Sequence, residues 1–187
     1  MAPRWEDVIR AYRDHVELAV PAVVDVGAAG KGFAVDRVAE IVADAAEEWI
    51  VDGGGDMRVS PRAGGRTEVR VALEHPLDAT KAIGVATLSG GSICASAANR
   101  RSWADWHHIV DPRSAAPAAD VMATWVIGPE RPLGTMIADG LATALFFTAP
   151  AELLAHPAMA GLDVDVVVVR RNGTVQHSDS ARLEVFG

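Results

Sequence analysis

The sequence predicts an α+β fold, one domain over residues 1–187 with mixed or antiparallel sheets and packed helices. Three observations carry that prediction. Apolar residues recur at helical spacing from Phe33 to about Trp49 and again from Met136 to Phe147. Short runs rich in β-branched residues, bounded by Gly, Pro and Ser, fill much of the remainder. Val164 to Val169 is an unbroken apolar run, the pattern of a strand covered on both faces. Half of the 187 residues are hydrophobic, enough for a substantial core, and no repeat or low-complexity linker divides them.

Taken in order, residues 4–13 suit a short helix and His15 to Val20 a strand, interrupted by Pro21. Val23-Val24 is expected to lead as a short strand into the loop that starts at Asp25. The helix from Phe33 carries Val35, Val38, Ala39, Ile41, Val42 and Ala46 inward and Asp44, Glu47 and Glu48 outward. Ile50-Val51 restarts a strand that runs into Asp52-Gly-Gly-Gly-Asp56, a turn because three glycines cannot centre a regular element. Met57–Ser60 and Thr67–Leu73 are expected to pair as a hairpin around Pro61–Gly65. Ile83–Leu88 and Val121–Ile127 read as strands. Between them, residues 96–120 lack a clean period and form a long connection of the kind that often carries function. Pro150–Ala155 starts a further short helix, and Val175–Phe186 offers one last strand.

Composition excludes several classes. A net charge of −8 with no basic stripe argues against a nucleic-acid surface. The single cysteine, Cys94, rules out an internal disulfide and reads as a buried, inert thiol. The charged amino terminus has no apolar core of a leader peptide and no lipobox, and no stretch is apolar enough to span a bilayer, so a soluble, cytoplasmic chain is expected.

Three stretches carry candidate chemistry. In Asp25-Val-Gly-Ala-Ala-Gly-Lys-Gly-Phe-Ala-Val-Asp36, small residues and Lys31 precede a helix whose first N–H groups attract anions, which suits a phosphate as well as a plain strand-to-helix turn. It is neither a Walker A loop nor a G-x-G-x-x-G fingerprint. His108-Ile-Val-Asp111-Pro-Arg-Ser114 brings an imidazole, a carboxylate and a guanidinium together, able to hold a polar ligand and move a proton, or simply to make a turn. Asp139 and Thr143, four apart on a helix, share a face and offer hard oxygens of the kind Mg²⁺ accepts, although one carboxylate alone makes a weak site. Trp103 and Trp106 are placed to stack on a flat ring or to cover a core edge.

These stretches, with Gly54-Gly55-Asp56 and Ala138–Thr143, occur in the order of the motifs of the FAD:protein FMN transferases, the ApbE family, which the chain resembles over residues 23–147. The resemblance implies an ApbE-like, T-fold-related domain and a Mg²⁺-dependent transfer of FMN from FAD to a Thr or Ser hydroxyl of an acceptor flavoprotein, releasing AMP. It places Mg²⁺ between the main-chain oxygen of Ala28, the carboxylate of Asp139 and the hydroxyl of Thr143. It places FAD against Asp25, Lys31 and the main chain of Val110, and gives His108 and Asp111 the catalytic pocket. No nucleic acid or membrane partner is implied.

The chain departs from the family pattern in three places. Cys94-Ala-Ser-Ala97 stands where Ala-Thr-Ser-Gly is usual, and Ala115 stands for a glycine, which is expected to shift that loop. Only 24 residues precede Asp25, whereas full-length members carry a long amino-terminal portion that contributes to the FAD pocket. The expectation is therefore a domain truncated at its amino terminus, matching the carboxy-terminal catalytic part. A fragment, a chain completed by another, and a degenerate copy all fit that pattern. Two alternatives to transfer stand beside it, an FAD pyrophosphatase giving FMN and AMP, and a non-catalytic flavin-binding remnant.

Overall fold

The computed structural model describes residues 4–61, 68–104 and 106–186. Helix α1 (Trp5–Val8) leads into a small ribbon, β1 (Ile9–Ala11) and β2 (Val16–Leu18). Helix α2 (Gly30–Ala43) follows, then β3 (Ile50–Asp52), β4 (Asp56–Val59), β5 (Val69–His75), β6 (Asp78–Leu88) and β7 (Gly91–Ala97). Two short ribbons come next, β8 (Ser102–Trp103) with β9 (Trp106–His107), and β10 (Val110–Asp111) with β11 (Ala116–Pro117). The chain continues with β12 (Val121–Gly128), α3 (Gly134–Ala144), α4 (Pro150–Ala155), β13 (Asp165–Arg170), β14 (Val175–His177) and β15 (Leu183–Val185).

One six-stranded sheet, in the order β14-β13-β12-β7-β4-β3, forms the middle layer, and every pairing within it is antiparallel. Alternation along its central strands divides the core in two. Cys94, Val126, Val166 and Val168 face the helices, packing with Ala138, Ala142, Leu145 and Phe146. Their neighbours Ile93, Trp125, Ile127, Val167 and Val169 face a second sheet, β15-β6-β5, through Leu73, Ile83, Ala86 and Leu88. Both faces of β13 are therefore apolar, which is why Val164–Val169 reads as a continuous run.

Several expectations are corrected. The antiparallel half of the mixed-or-antiparallel alternative holds throughout the described strands. Val23-Val24 forms no strand; the segment from Pro21 to Val26 carries no regular element and Val23 is 96% exposed. Met57–Ser60 and Thr67–Leu73 do not make a hairpin: β4 pairs with β3 and β7, while β5 pairs with β6 in the other sheet. Most of the Pro61–Gly65 turn, and Thr67, lie outside the described residues. Residues 91–97, rich in Gly, Ser and Ala, form the central strand β7, because burial between two apolar layers outweighs their weak β-propensity. Helix α2 begins three residues before Phe33 and ends at Ala43, well short of Trp49. The tail holds two strands, β14 and β15, in different sheets.

Helices α2 and α3 cross so closely that a Cβ on Gly32 would stand 2.5 Å from the main-chain oxygen of Thr135. Glycine is required there for contact rather than for backbone shape. This crossing positions the site. Among the described residues no helix is long and apolar enough to cross a membrane.

Candidate functional site

Each helix of the crossing supplies a carboxylate to the first turn of the other. Asp36 on α2 is fully buried and accepts hydrogen bonds from the N–H groups of Thr135 (3.2 Å) and Met136 (2.9 Å), the second and third residues of α3. Leu133, ahead of that helix, has a positive φ of 59° and makes no side-chain cap, so the carboxylate from α2 does the capping. Arg58 on β4 neutralises Asp36 through an ion pair. Reciprocally, Asp139 on α3 accepts from the N–H of Gly32 (2.9 Å), the third residue of α2, whose preceding Ala29 gives no side-chain cap.

That arrangement revises the picture of an anion site at the start of α2. One of its N–H groups is already occupied by a carboxylate, and the Lys31 ammonium is matched by the buried carboxylate of Asp56. Asp56 opens β4 at the end of the glycine turn. There the carboxylate of Asp52 accepts from the N–H groups of Gly54 (2.8 Å) and Gly55 (3.1 Å), both at positive φ (81° and 103°). The charge balance behind the loop is therefore two carboxylates, Asp56 and Asp139, against one ammonium. Burial, assisted by the nearby Asp56 charge, pushes the Asp139 carboxyl up to about 6, while the Gly32 hydrogen bond and Lys31 oppose the shift.

In front of the crossing lies a cavity of about 730 Å³. It brings together Asp25, Ala28, Lys31, His108, Val110, Asp139 and Thr143, residues that the sequence places up to 118 positions apart (Asp25 to Thr143). Asp25 holds its own loop by accepting from the Gly27 N–H (2.6 Å). Thr143, one turn beyond Asp139 on α3, shares a hydrogen bond with Ser96 on β7 (3.3 Å). Ala28, Asp139 and Thr143 all line the cavity and together offer a main-chain, a carboxylate and a hydroxyl oxygen, donors of the kind a hard cation accepts alongside water or phosphate. Among the described residues no group of three or more His, Cys, Asp or Glu converges on one point.

His108 also lines the cavity. Its Nδ1–H donates to the carbonyl of Arg101 (3.4 Å), and burial, with the charges of Arg101, His107 and Lys31, lowers its pKa below the usual histidine range. Asp111 does not line the cavity. It faces Arg113, which donates to it from Nε (3.0 Å) and a terminal nitrogen (2.8 Å), and the guanidinium holds its carboxyl below the usual range. Ala115 occupies the same turn at φ 54°, with its N–H on the Asp111 carbonyl (2.8 Å), so the loop keeps a left-handed residue with alanine in place of glycine. Cys94 is fully buried, and its thiol is pushed well above the ordinary range by burial and the Asp56 and Asp139 charges, so it is inert.

Sequence reasoning missed Asp36 as a cap, Asp56 as the holder of Lys31, and Arg101 as the anchor of His108. The motif that ends at Asp36 was visible, but its partner Thr135 lies 99 residues away, and no local pattern announces that contact.

Residues 3–166 match the ApbE family. The chain is 28% identical over 167 residues to the FAD:protein FMN transferase of Klebsiella pneumoniae, covering 86% of this chain and 49% of that protein. It is 28% identical over 172 residues to the protein of the same name from Haemophilus influenzae, covering 87% and 49%. The chain thus spans about half the length of these curated relatives. Among solved structures, the ApbE protein of Thermotoga maritima superposes with a TM-score of 0.79 at 24% identity, over 95% of this chain and 59% of that one. The flavin transferase ApbE of Vibrio cholerae gives 0.71 at 22% identity, over 94% and 57%. The sequence match and the shared fold agree that this chain belongs to the ApbE family.

Proposed function

We propose that the chain is the catalytic part, residues 1–187 as one domain, of an enzyme that transfers FMN from FAD to a Thr or Ser hydroxyl of an acceptor flavoprotein. The observation that carries this reading is the convergence of four sequence-distant motifs on one cavity of about 730 Å³. A dinucleotide is long, and the cavity extends from the α2 loop at Asp25 to the wall at Val110. In this reading Asp25, Lys31 and the main chain of Val110 line the FAD site.

The residues fit Mg²⁺. The donor set is oxygen alone, the Ala28 carbonyl, the Asp139 carboxylate and the Thr143 hydroxyl, and burial leaves Asp139 short of positive charge. Because Asp56 already matches Lys31, an entering pyrophosphate needs a further cation. Ala28, Asp139 and Thr143 would hold the ion, and its chemistry there would be to offset the charge of the pyrophosphate and of the departing oxygen.

The protein's own groups define the rest. His108 has a lowered pKa and is neutral near pH 7; with Nδ1–H on the Arg101 carbonyl, the Nε2 lone pair is left to accept a proton. The acceptor hydroxyl oxygen attacks the phosphorus on the flavin side as the bond from that phosphorus to the bridging oxygen breaks. AMP leaves with the electron pair, and the hydroxyl proton passes to His108. Asp111, tied to Arg113, acts on this step only by shaping the turn that follows Val110.

The test is incubation of the purified chain with FAD, with and without Mg²⁺, and with a peptide carrying a Ser/Thr-Gly-Ala-Ser/Thr segment, following AMP and peptide-bound flavin. Mg²⁺-dependent AMP with flavin on the peptide is expected; AMP without peptide-bound flavin indicates a pyrophosphatase. Asp139→Ala should abolish Mg²⁺-dependent AMP release, and unchanged release refutes the cation site. Lys31→Ala should weaken FAD binding by roughly tenfold, the order expected for losing one charge-assisted contact.

A further inference from the structure

The ribbon β8–β9 leaves the cavity wall at Arg101 and returns to it at His108, both of which line the cavity. Trp103 and Trp106 lie directly opposite each other across the ribbon, so their indoles project from the same face. They are 56% and 40% exposed, and neither lines the cavity. Two adjacent indoles left in water are unusual, since aromatic side chains of this size contribute most when covered.

The base of the ribbon is fixed. His107 is buried; its Nδ1 accepts from the Ile109 N–H (3.3 Å), so Nε2 carries the proton and donates to the Ala118 carbonyl (3.0 Å). His107 thus anchors the ribbon where it rejoins the cavity wall, with the indoles beyond it in solvent. At the same base, Arg100 pairs with Glu74 (2.9 Å), and the exposed guanidinium of Arg101 makes no ion pair or hydrogen bond to a described residue. A chain of net charge −8 thus gathers two guanidiniums at one rim of its cavity.

We propose that this ribbon is the docking platform for the acceptor polypeptide. The indoles cover an apolar side chain of the acceptor, and Arg101 meets an acidic residue near its hydroxyl. The proposal rests on the reading of the cavity as a flavin-transfer site. A polypeptide is favoured over the flavin ring because both indoles stand outside the cavity lining, while the two ends of their ribbon, Arg101 and His108, belong to it. Paired aromatics with a neighbouring arginine are the composition of binding hot spots.

The experiment uses the full chain, a Trp103→Ala/Trp106→Ala variant and Arg101→Glu. FAD binding is read by flavin fluorescence, and binding of a labelled acidic peptide carrying Ser/Thr-Gly-Ala-Ser/Thr by anisotropy. Both variants should bind the peptide at least about tenfold more weakly. The tryptophan variant should keep its FAD affinity within about twofold and its melting temperature, because the replaced rings are exposed. Unchanged peptide affinity, no peptide binding by the wild-type chain, or an equal loss of FAD affinity in the tryptophan variant overturns the proposal. A wild-type chain that binds the peptide through the indoles yet does not bind FAD supports the platform and refutes the flavin reading of the cavity.

Discussion

The two walls of the cavity are built on opposite principles. The inner wall, Lys31, Asp139 and Thr143, belongs to helices clamped by reciprocal carboxylate caps and backed by the central sheet. The outer rim, residues 20–28, 99–104 and 106–116, is mostly exposed apart from His107 and Ile109 and is held by turns: Asp25 on Gly27, Asp111 on Arg113, Ala115 at positive φ. The charged groups Lys31 and Asp139 are on the wall where each is already paired, with Asp56 and with the Gly32 N–H. Groups that must admit and release large substrates are on the rim, where local hydrogen bonds set the shape and little burial resists movement.

The largest test of that contrast is Asp36→Ala. It removes a fully buried carboxylate that accepts from Thr135, Met136 and Arg58, leaving the guanidinium and two helix N–H groups without it. Breaking a buried ion pair from one side costs roughly 3–5 kcal/mol. Urea unfolding should show a loss of that size. A loss under about 1 kcal/mol, the order of an exposed pair, means that the crossing does not depend on the cap.

The division between walls also explains what could be read from the sequence. Helix periodicity, the apolar run of β13 and the glycine turn before Asp56 are local signals, and each leads to the right element. The grouping of Asp25, Lys31, His108, Asp139 and Thr143 was legible only through the order of family motifs, since no spacing rule joins residues on α2, α3 and the loop after β9. Strand β7 leaves little trace in the sequence because Ser92, Ala95, Ser96 and Ala97 carry a weak β signal, and only the layers above and below make it a strand. The sheet partner of β4 was misassigned for a related reason. Neighbours in sequence suggest a hairpin, whereas β4 is drawn beside β7 by the buried Asp56 and Val59, with Asp56 opposite Cys94.

The rim offers a test of opposite sign. Ala115 at φ 54° occupies a conformation that disfavours a side chain by roughly 1–2 kcal/mol, while glycine loses more freedom on folding by roughly 0.5–1 kcal/mol. Ala115→Gly should therefore stabilise by about 0.5–1 kcal/mol, read as a small rise in the melting temperature. A fall instead would show that the alanine methyl packs against the turn more than it strains it.

The smallest effect is expected at Arg113→Ala. The guanidinium lowers the Asp111 pKa, so this pair's contribution to stability is present above the ordinary carboxylate value and fades as pH falls through the depressed one. Arg113 is well exposed, and solvent screens the pair, so melting near pH 7 should scarcely change. What should move is the titration itself: followed by NMR, the Asp111 carboxyl should return toward the ordinary Asp value in the variant. A midpoint that stays low would assign the depression to the Arg113 main-chain N–H, which donates to the same carboxylate at 2.8 Å and survives the substitution. The rim turn would then be set by backbone geometry alone, and the outer wall would differ from the inner one in needing no charge to hold its shape.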